Sequence, residues 1–336
     1  MVAALAGCYE PTPADKGFKC TGDNDYLCPD GLSCDRVAGL CVSRLPDMQL
    51  IPSDLGFMVD ASGPVAPRSC DERVTHGAFS GLAPLTSLNT AADELSISIS
   101  ADGSRIFYQS SGAIMTATLS GKSAGAPTVV NIAGAPAAFR GGSVNADGSY
   151  WFAGDDGAGG PTSLFQAKGT LPNLTATAQA LPTTATQQSM CAFHDPVFRD
   201  GSSANDLYIA YALGGCGTPP YIAQGASGKQ LGAFFAAFPT AGFRFPSLLS
   251  GGLTMIVGGN APTRRLFYAT RPGTDQTMTD TTWVGPTALP LGGIADSASQ
   301  DWQAVVSPDC SKLYLVSVRA GGVGGADLYV ADIAAQ

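Results

Sequence analysis

Residues 95–108 read LSISISADGSRIFY: serines alternate with apolar side chains as far as Asp102-Gly103, and Ile106, Phe107 and Tyr108 then open a second apolar run. Alternation with period two places every second side chain on one buried face, which is the signature of a strand. Asp-Gly supplies a corner in which the aspartate bonds its own backbone and the glycine takes positive φ. The stretch therefore predicts a β-hairpin.

The same pattern returns four times, as GSVNADGSYWFA (142–153), DPVFRDGSSANDLYIAY (195–211), PSLLSGGLTMIV (246–257) and VVSPDCSKLYLV (305–316). The corner residues Asp102, Asp147, Asp200, Gly251 and Asp309 are 45, 53, 51 and 58 residues apart. A third short strand follows each copy (AIMTATL, TSLFQAK, PYIAQGA, RRLFYATR, ADLYVADI), and a fourth apolar run follows most of them. Four strands per repeat at this period predict an all-β fold, a five-bladed β-propeller. A six-bladed ring is the alternative, and it needs a sixth copy. The last repeat stops at its third strand, while AFSGLAPLTSL (78–88) precedes the first repeat without a blade of its own. That N-terminal strand is expected to complete the last blade and close the ring.

The SxDGxxLYF corner followed by a strand of LYVA type resembles the TolB-type, WD40-like propeller repeat family over about residues 79–336. The resemblance implies a propeller and leaves the activity undefined.

Composition agrees with many short strands: Gly (42) and Pro (23) are abundant and charged residues make up only 13%. A net charge of −9 with no Lys/Arg cluster gives nothing to neutralise phosphates, so nucleic acid is not expected as a partner. The nine cysteines point to an oxidising, exported location. Leu5-Ala6-Gly7-Cys8 resembles a bacterial lipobox, in which the cysteine receives lipid. The resemblance implies an outer-membrane lipoprotein, periplasmic or surface-exposed, with residues 1–7 as the remnant of its signal peptide, although only seven residues precede Cys8 and no basic segment is among them. Residues 8–19 are a linker, 20–41 a Cys-rich disulfide module, 42–69 a Pro-rich tether and 70–336 the propeller.

Within the module, four cysteines allow three connectivities, and the interlaced pairs Cys20–Cys34 and Cys28–Cys41 are favoured; zinc is the rival, but CxxC pairs and a nearby histidine are missing. Cys70 and Cys310 flank the expected closure and are paired there as a staple. Cys191 and Cys216 fall in one blade and make the remaining pair.

The repeated aspartates are read as turn residues. His194-Asp195-Pro196 resembles the segment that carries the base in five-bladed arabinanase-type glycosidases, which use a second carboxylic acid as proton donor. The family's acid is generally a glutamate, and this chain has only Glu10, Glu72 and Glu94. Gly121-Lys122-Ser123-Ala124-Gly125 fits GxSxG and contains GKS, but neither a nucleophile elbow nor a P-loop has the context it needs, so it is read as a flexible loop. Asp155-Asp156 is read as a solvated loop rather than a calcium site. With two histidines, no metal and no cofactor are expected.

Counting six to eight residues back from each corner reaches Glu94, Arg140, His194, Arg244 and Asp301, with Asp195 and Trp302 adjacent. In a propeller these enter the innermost strands and ring one mouth of the central channel; inter-blade salt bridges and caps are the competing role. The expectation is a binding protein and not an enzyme, with a protein, a peptide or a small polar ligand at the cell envelope as partner. The alternative is a hydrolase or lyase acting on polysaccharide.

Overall fold

The computed structural model describes residues 32–35, 40–43, 69–136, 138–155, 163–179, 190–198, 207–213, 221–224, 235–236, 242–249, 252–259, 264–271, 283–295 and 300–335. The chain divides into two compact units, Met1–Val65 and Ala66–Gln336. In the first, β1 (Leu32–Asp35) pairs antiparallel with β2 (Leu40–Ser43), and Cys34 stands opposite Cys41 in the ladder. The expected lipidation of Cys8, the leader, linker and tether, and the sulfur pairings Cys20–Cys34, Cys28–Cys41 and Cys191–Cys216 lie outside the described residues.

The second unit begins with α1 (Cys70–Thr75) and β3 (Phe79–Pro84). Strands β4 (Glu94–Ile99), β5 (Arg105–Ser110), β6 (Ala113–Ser120), β7 (Ser123–Ala124) and β8 (Thr128–Val129) form one sheet. Strand β9 (Asn131–Ala133) crosses to the next sheet, with β10 (Ala138–Val144), β11 (Tyr150–Asp155), β12 (Ser163–Thr170) and β13 (Asn173–Gln179). Then come β14 (Met190–Phe198), β15 (Leu207–Leu213), β16 (Tyr221–Gln224) and β17 (Phe235–Ala236), followed by β18 (Phe243–Leu248), β19 (Thr254–Gly259), β20 (Leu266–Thr270) and β21 (Val284–Ala288). The last sheet holds β22 (Asp301–Val306), β23 (Lys312–Ser317) and β24 (Asp327–Ile333), with β3 as its fourth strand.

The first three strands of each of these sheets are antiparallel neighbours in chain order, as short tight turns impose, whereas β9 runs parallel to β13 at the edge of its sheet. The first strands meet one another in cyclic order, β4 to β10, β10 to β14, β14 to β18, β18 to β22 and β22 back to β4. This is an all-β propeller. Its apolar core lies between neighbouring sheets: Phe107 and Ile114 pack with Tyr150 and Phe152 at one junction, and Ile97 and Ile106 with Tyr314 and Val316 at another. Alternation supplies both faces of the first sheet with such side chains.

Closure follows the expected route. Tyr329 pairs with Pro84 and Ile333 with Phe79 across β24 and β3. Asn89 extends the seam by imitating a strand: its side chain donates to the Leu328 carbonyl at 3.1 Å and accepts from the Leu328 N–H at 2.9 Å. Cys70 on α1 is disulfide-bonded to Cys310, with 5.7 Å between the Cα atoms. The segment 121–125 departs from the flexible loop expected of it. It turns into β7, and Lys122 Nζ reaches the Gly81 carbonyl at 2.5 Å and Asp332 Oδ2 at 2.5 Å, tying the first sheet to the closing strand.

The corners behave as turns. Asp102 accepts from Ser100 Oγ at 2.6 Å and from the Ser104 N–H at 3.0 Å, Asp147 from the Ser149 N–H at 2.9 Å, and Asp309 from Ser307 Oγ at 2.6 Å and the Ser311 N–H at 3.1 Å. Gly103 (φ 72°) and Gly148 (φ 78°) hold the left-handed position that follows, and in the last corner Cys310 (φ 55°) takes it. A side chain there costs more than glycine. Here the side chain is the sulfur that bonds Cys70.

Candidate functional site

The ladders give each first strand a common frame. The N–H groups of Ser100, Asn145, Leu249 and Ser307 donate to the carbonyls of Arg105, Ser149, Thr254 and Lys312, which marks one equivalent residue per corner. Six positions upstream stand Glu94, Phe139, Phe243 and Asp301, opposite Ser110, Gly154, Gly259 and Ser317. Phe193 opposite Tyr211 is the counterpart in β14. One residue further along are Leu95, Arg140, His194, Arg244 and Trp302.

The sequence-predicted residues therefore fall on two successive levels. Arg140, His194, Arg244 and Trp302 share one, Glu94 and Asp301 occupy the other, and Asp195 follows His194. Neighbouring residues of a strand point to opposite faces. A counting window three residues wide merges two faces that the register keeps apart.

Every first strand breaks register beside these levels: between Leu95 and Ser98, Arg140 and Gly142, His194 and Val197, Arg244 and Ser247, and Asp301 and Gln303. Ser96 (φ 56°), Gly141 (φ 62°) and Phe245 (φ 52°) carry the bulge in three of them. A bulge bends its strand and re-aims the side chains beside it.

The two carboxylates are committed to internal bonds. Glu94 is fully buried, and its carboxylate accepts from Thr90 Oγ1 at 2.7 Å, Ser110 Oγ at 2.9 Å and the Thr90 N–H at 3.2 Å. Burial pushes its pKa above the ordinary glutamate value, the bonds from Thr90 and Ser110 oppose that shift, and the Asp327 charge adds to it. Asp301 is gripped by Arg319 through Nε at 3.0 Å and Nη2 at 2.7 Å, and Arg319 also donates to the Ile294 carbonyl. Arg319 was invisible in the sequence, since a lone arginine before a glycine-rich turn carries no pattern.

The other level presents donors. The Arg244 guanidinium lies 4.7 Å from the centre of the Phe245 ring, and that of Arg264 lies 3.5 Å from the Trp302 ring. Trp302 Nε1 is buried and finds no acceptor among the described residues. Arg140, His194 and Asp195 are placed by strand register, and their side chains lie outside the description. Arg264, two residues before the third strand of its sheet, was not expected at the site; only the stacking on Trp302 reveals it. Among the described residues no group of three or more His, Cys, Asp or Glu is arranged to hold a metal ion. Arginine guanidinium and indole N–H groups favour acceptor oxygens, carboxylates above all.

No protein-family profile and no curated protein sequence matches the chain. Solved structures that it resembles include TolB from Acinetobacter baumannii, 15% identical over 73% of this chain and 56% of that one, with a TM-score of 0.40. The periplasmic gluconolactonase of Pseudomonas aeruginosa matches at 12% identity over 66% of this chain and 64% of that one, TM-score 0.37. A gluconolactonase of Xanthomonas campestris matches at 11% over 80% and 94%, TM-score 0.46. The chain thus spans under two thirds of the first two, and the likeness to TolB and the other propeller proteins is one of fold. It corrects the expectation that the chain is not an enzyme. That expectation rested on the missing glycosidase acid, yet structures it resembles are named as enzymes, because the propeller frame carries catalysis and binding alike.

Proposed function

We propose that this chain is an exported, five-bladed propeller anchored through lipid on Cys8, and that it binds a partner carrying acidic oxygens at the channel end where the five first strands begin. The observation that carries the reading is the shared level of Arg140, His194, Arg244 and Trp302, each a hydrogen-bond donor and each beside a bulge. Cyclic contact among the first strands supports five blades, and a disulfide between α1 and the last corner supports an oxidising compartment. A protein or peptide at the cell envelope, or a small polar ligand, meets the chemistry when it offers a carboxylate.

Trp302 makes the test direct. Peptides with a free C-terminal carboxylate and their amidated counterparts are titrated against the full chain while tryptophan emission is followed. Emission is expected to change with the acids only, and Arg140→Ala with Arg244→Ala to weaken the response about tenfold or more, the scale of a lost charged hydrogen bond. Equal responses to acid and amide refute the site. Aldonolactones and arabinan oligosaccharides, run in parallel, show whether a bound ligand is turned over. Mass spectrometry of the mature N-terminus tests the anchor: an unmodified chain extending upstream of Cys8 removes it.

A further inference from the structure

At the opposite end of the strands, a cleft of about 490 Å³ opens between the corners of the first and last sheets, lined by Asp102, Leu119, Pro308, Asp309, Lys312 and Tyr314 among others. This volume falls in the range of small-molecule sites. Tyr314 is only 4% exposed, yet its hydroxyl makes no hydrogen bond to any described residue and its side chain lines the cleft. Packing does not require that hydroxyl, because the equivalent second-strand positions carry Phe107 and Ile256, and Trp151, whose Nε1 is bonded to Ser149 at 3.1 Å.

The walls are acidic. Turn bonds from Ser100 and Ser104 hold the pKa of the Asp102 carboxyl down to about 2, and those from Ser307 and Ser311 lower that of Asp309 from the ordinary aspartate value. The lysine on the rim is turned aside: Lys312 Nζ binds Asp332 Oδ1 at 2.6 Å, and Lys122 shares the same carboxylate. Two lysines against Asp102, Asp309 and Asp332 leave one negative charge.

We propose that this cleft is a binding site for a small organic cation, a primary ammonium on an apolar stem. Its N–H donors meet the phenol oxygen of Tyr314 and the Asp102 and Asp309 carboxylates, and its stem lies on Leu119 and Pro308. An ammonium has three donors and no acceptor, which suits a cleft that offers a phenol oxygen and two ionised carboxylates. The site lies at the other end of the strands from the donor level proposed above and stands independently of it.

The probe is 1,4-diaminobutane, titrated calorimetrically against the full chain, with 1-butanol as the neutral control. Saturable binding is expected for the diamine and none for the alcohol. Tyr314→Phe, which keeps the ring and the packing, is expected to weaken binding about tenfold, as is Asp102→Asn with Asp309→Asn, since asparagine also serves these turns. Thermal unfolding of each variant establishes that the fold is retained. A diamine that binds no better than butanol overturns the proposal, and so does one that binds Tyr314→Phe as tightly as the parent chain.

Discussion

At the residue scale, two buried carboxylates reached by one counting argument have different fates. Asp301 is paired on both oxygens with Arg319, and the two side chains are each 6% exposed. Removing one partner strands a charge in a dry site, which costs about 3–5 kcal/mol. Arg319→Met is therefore expected to lower stability by about that much in urea unfolding. Pairing it with Asp301→Leu is expected to recover part of the loss; a double variant no better than the single one refutes the coupling. Glu94 predicts a pH effect instead. Its folded pKa lies above the ordinary value, so its contribution is complete below the unfolded value and declines as pH rises through the folded one. Asp147 and Asp309 run the other way: their lowered values place their contribution above the unfolded pKa, and it is lost as pH falls. Urea midpoints of Glu94→Gln and the parent chain, compared between about pH 4 and pH 8, are expected to show a flatter decline on the alkaline side for the variant. Parallel curves refute the assignment.

At the element scale, the closing strand is where the propeller depends on contacts distant in sequence. Strand β3 contributes the outer edge of the last sheet, α1 brings Cys70 to Cys310, and Lys122 clamps from the first sheet. The disulfide closes a sequence separation of 240 residues. Removing a bridge of this kind costs about 2–4 kcal/mol. Cys70→Ser with Cys310→Ser is expected to lose that much and to make residues 69–84 the first site of proteolysis; unchanged stability and protease resistance refute the staple. Lys122→Met is expected to cost no more than about 1 kcal/mol, because both partners are about a third exposed and water screens the pair. The local pattern already disclosed the ends to be joined, a last repeat without its fourth strand and a strand without a repeat. It did not disclose the clamp, since a lysine in a glycine-rich loop looks the same whether it swings in water or reaches an aspartate 210 residues away.

At the scale of the whole molecule, Ala66–Gln336 is a compact unit in its own right. A fragment beginning at residue 66 is expected to unfold cooperatively with the thermal midpoint of the full chain, as scanning calorimetry reads it. One that begins at residue 85 lacks α1, Cys70 and β3, leaves β24 as an unpaired edge and is expected to self-associate in size-exclusion chromatography. A monomeric, equally stable product refutes the closure. The sequence by itself determined the strands, their corners and the period of the repeat, because alternation and Asp-Gly turns are set by residues a few positions apart. It also placed the strand that closes the ring and the cysteine pair beside it, because the unfinished repeat could be counted. Only the tertiary structure decided that Glu94 and Asp301 are bonded inward while Trp302 carries the guanidinium of Arg264, and that Tyr314 turns an unbonded hydroxyl into a cleft. Those outcomes depend on bulges that shift the register and on partners from neighbouring sheets, and neither is written in any short stretch of chain.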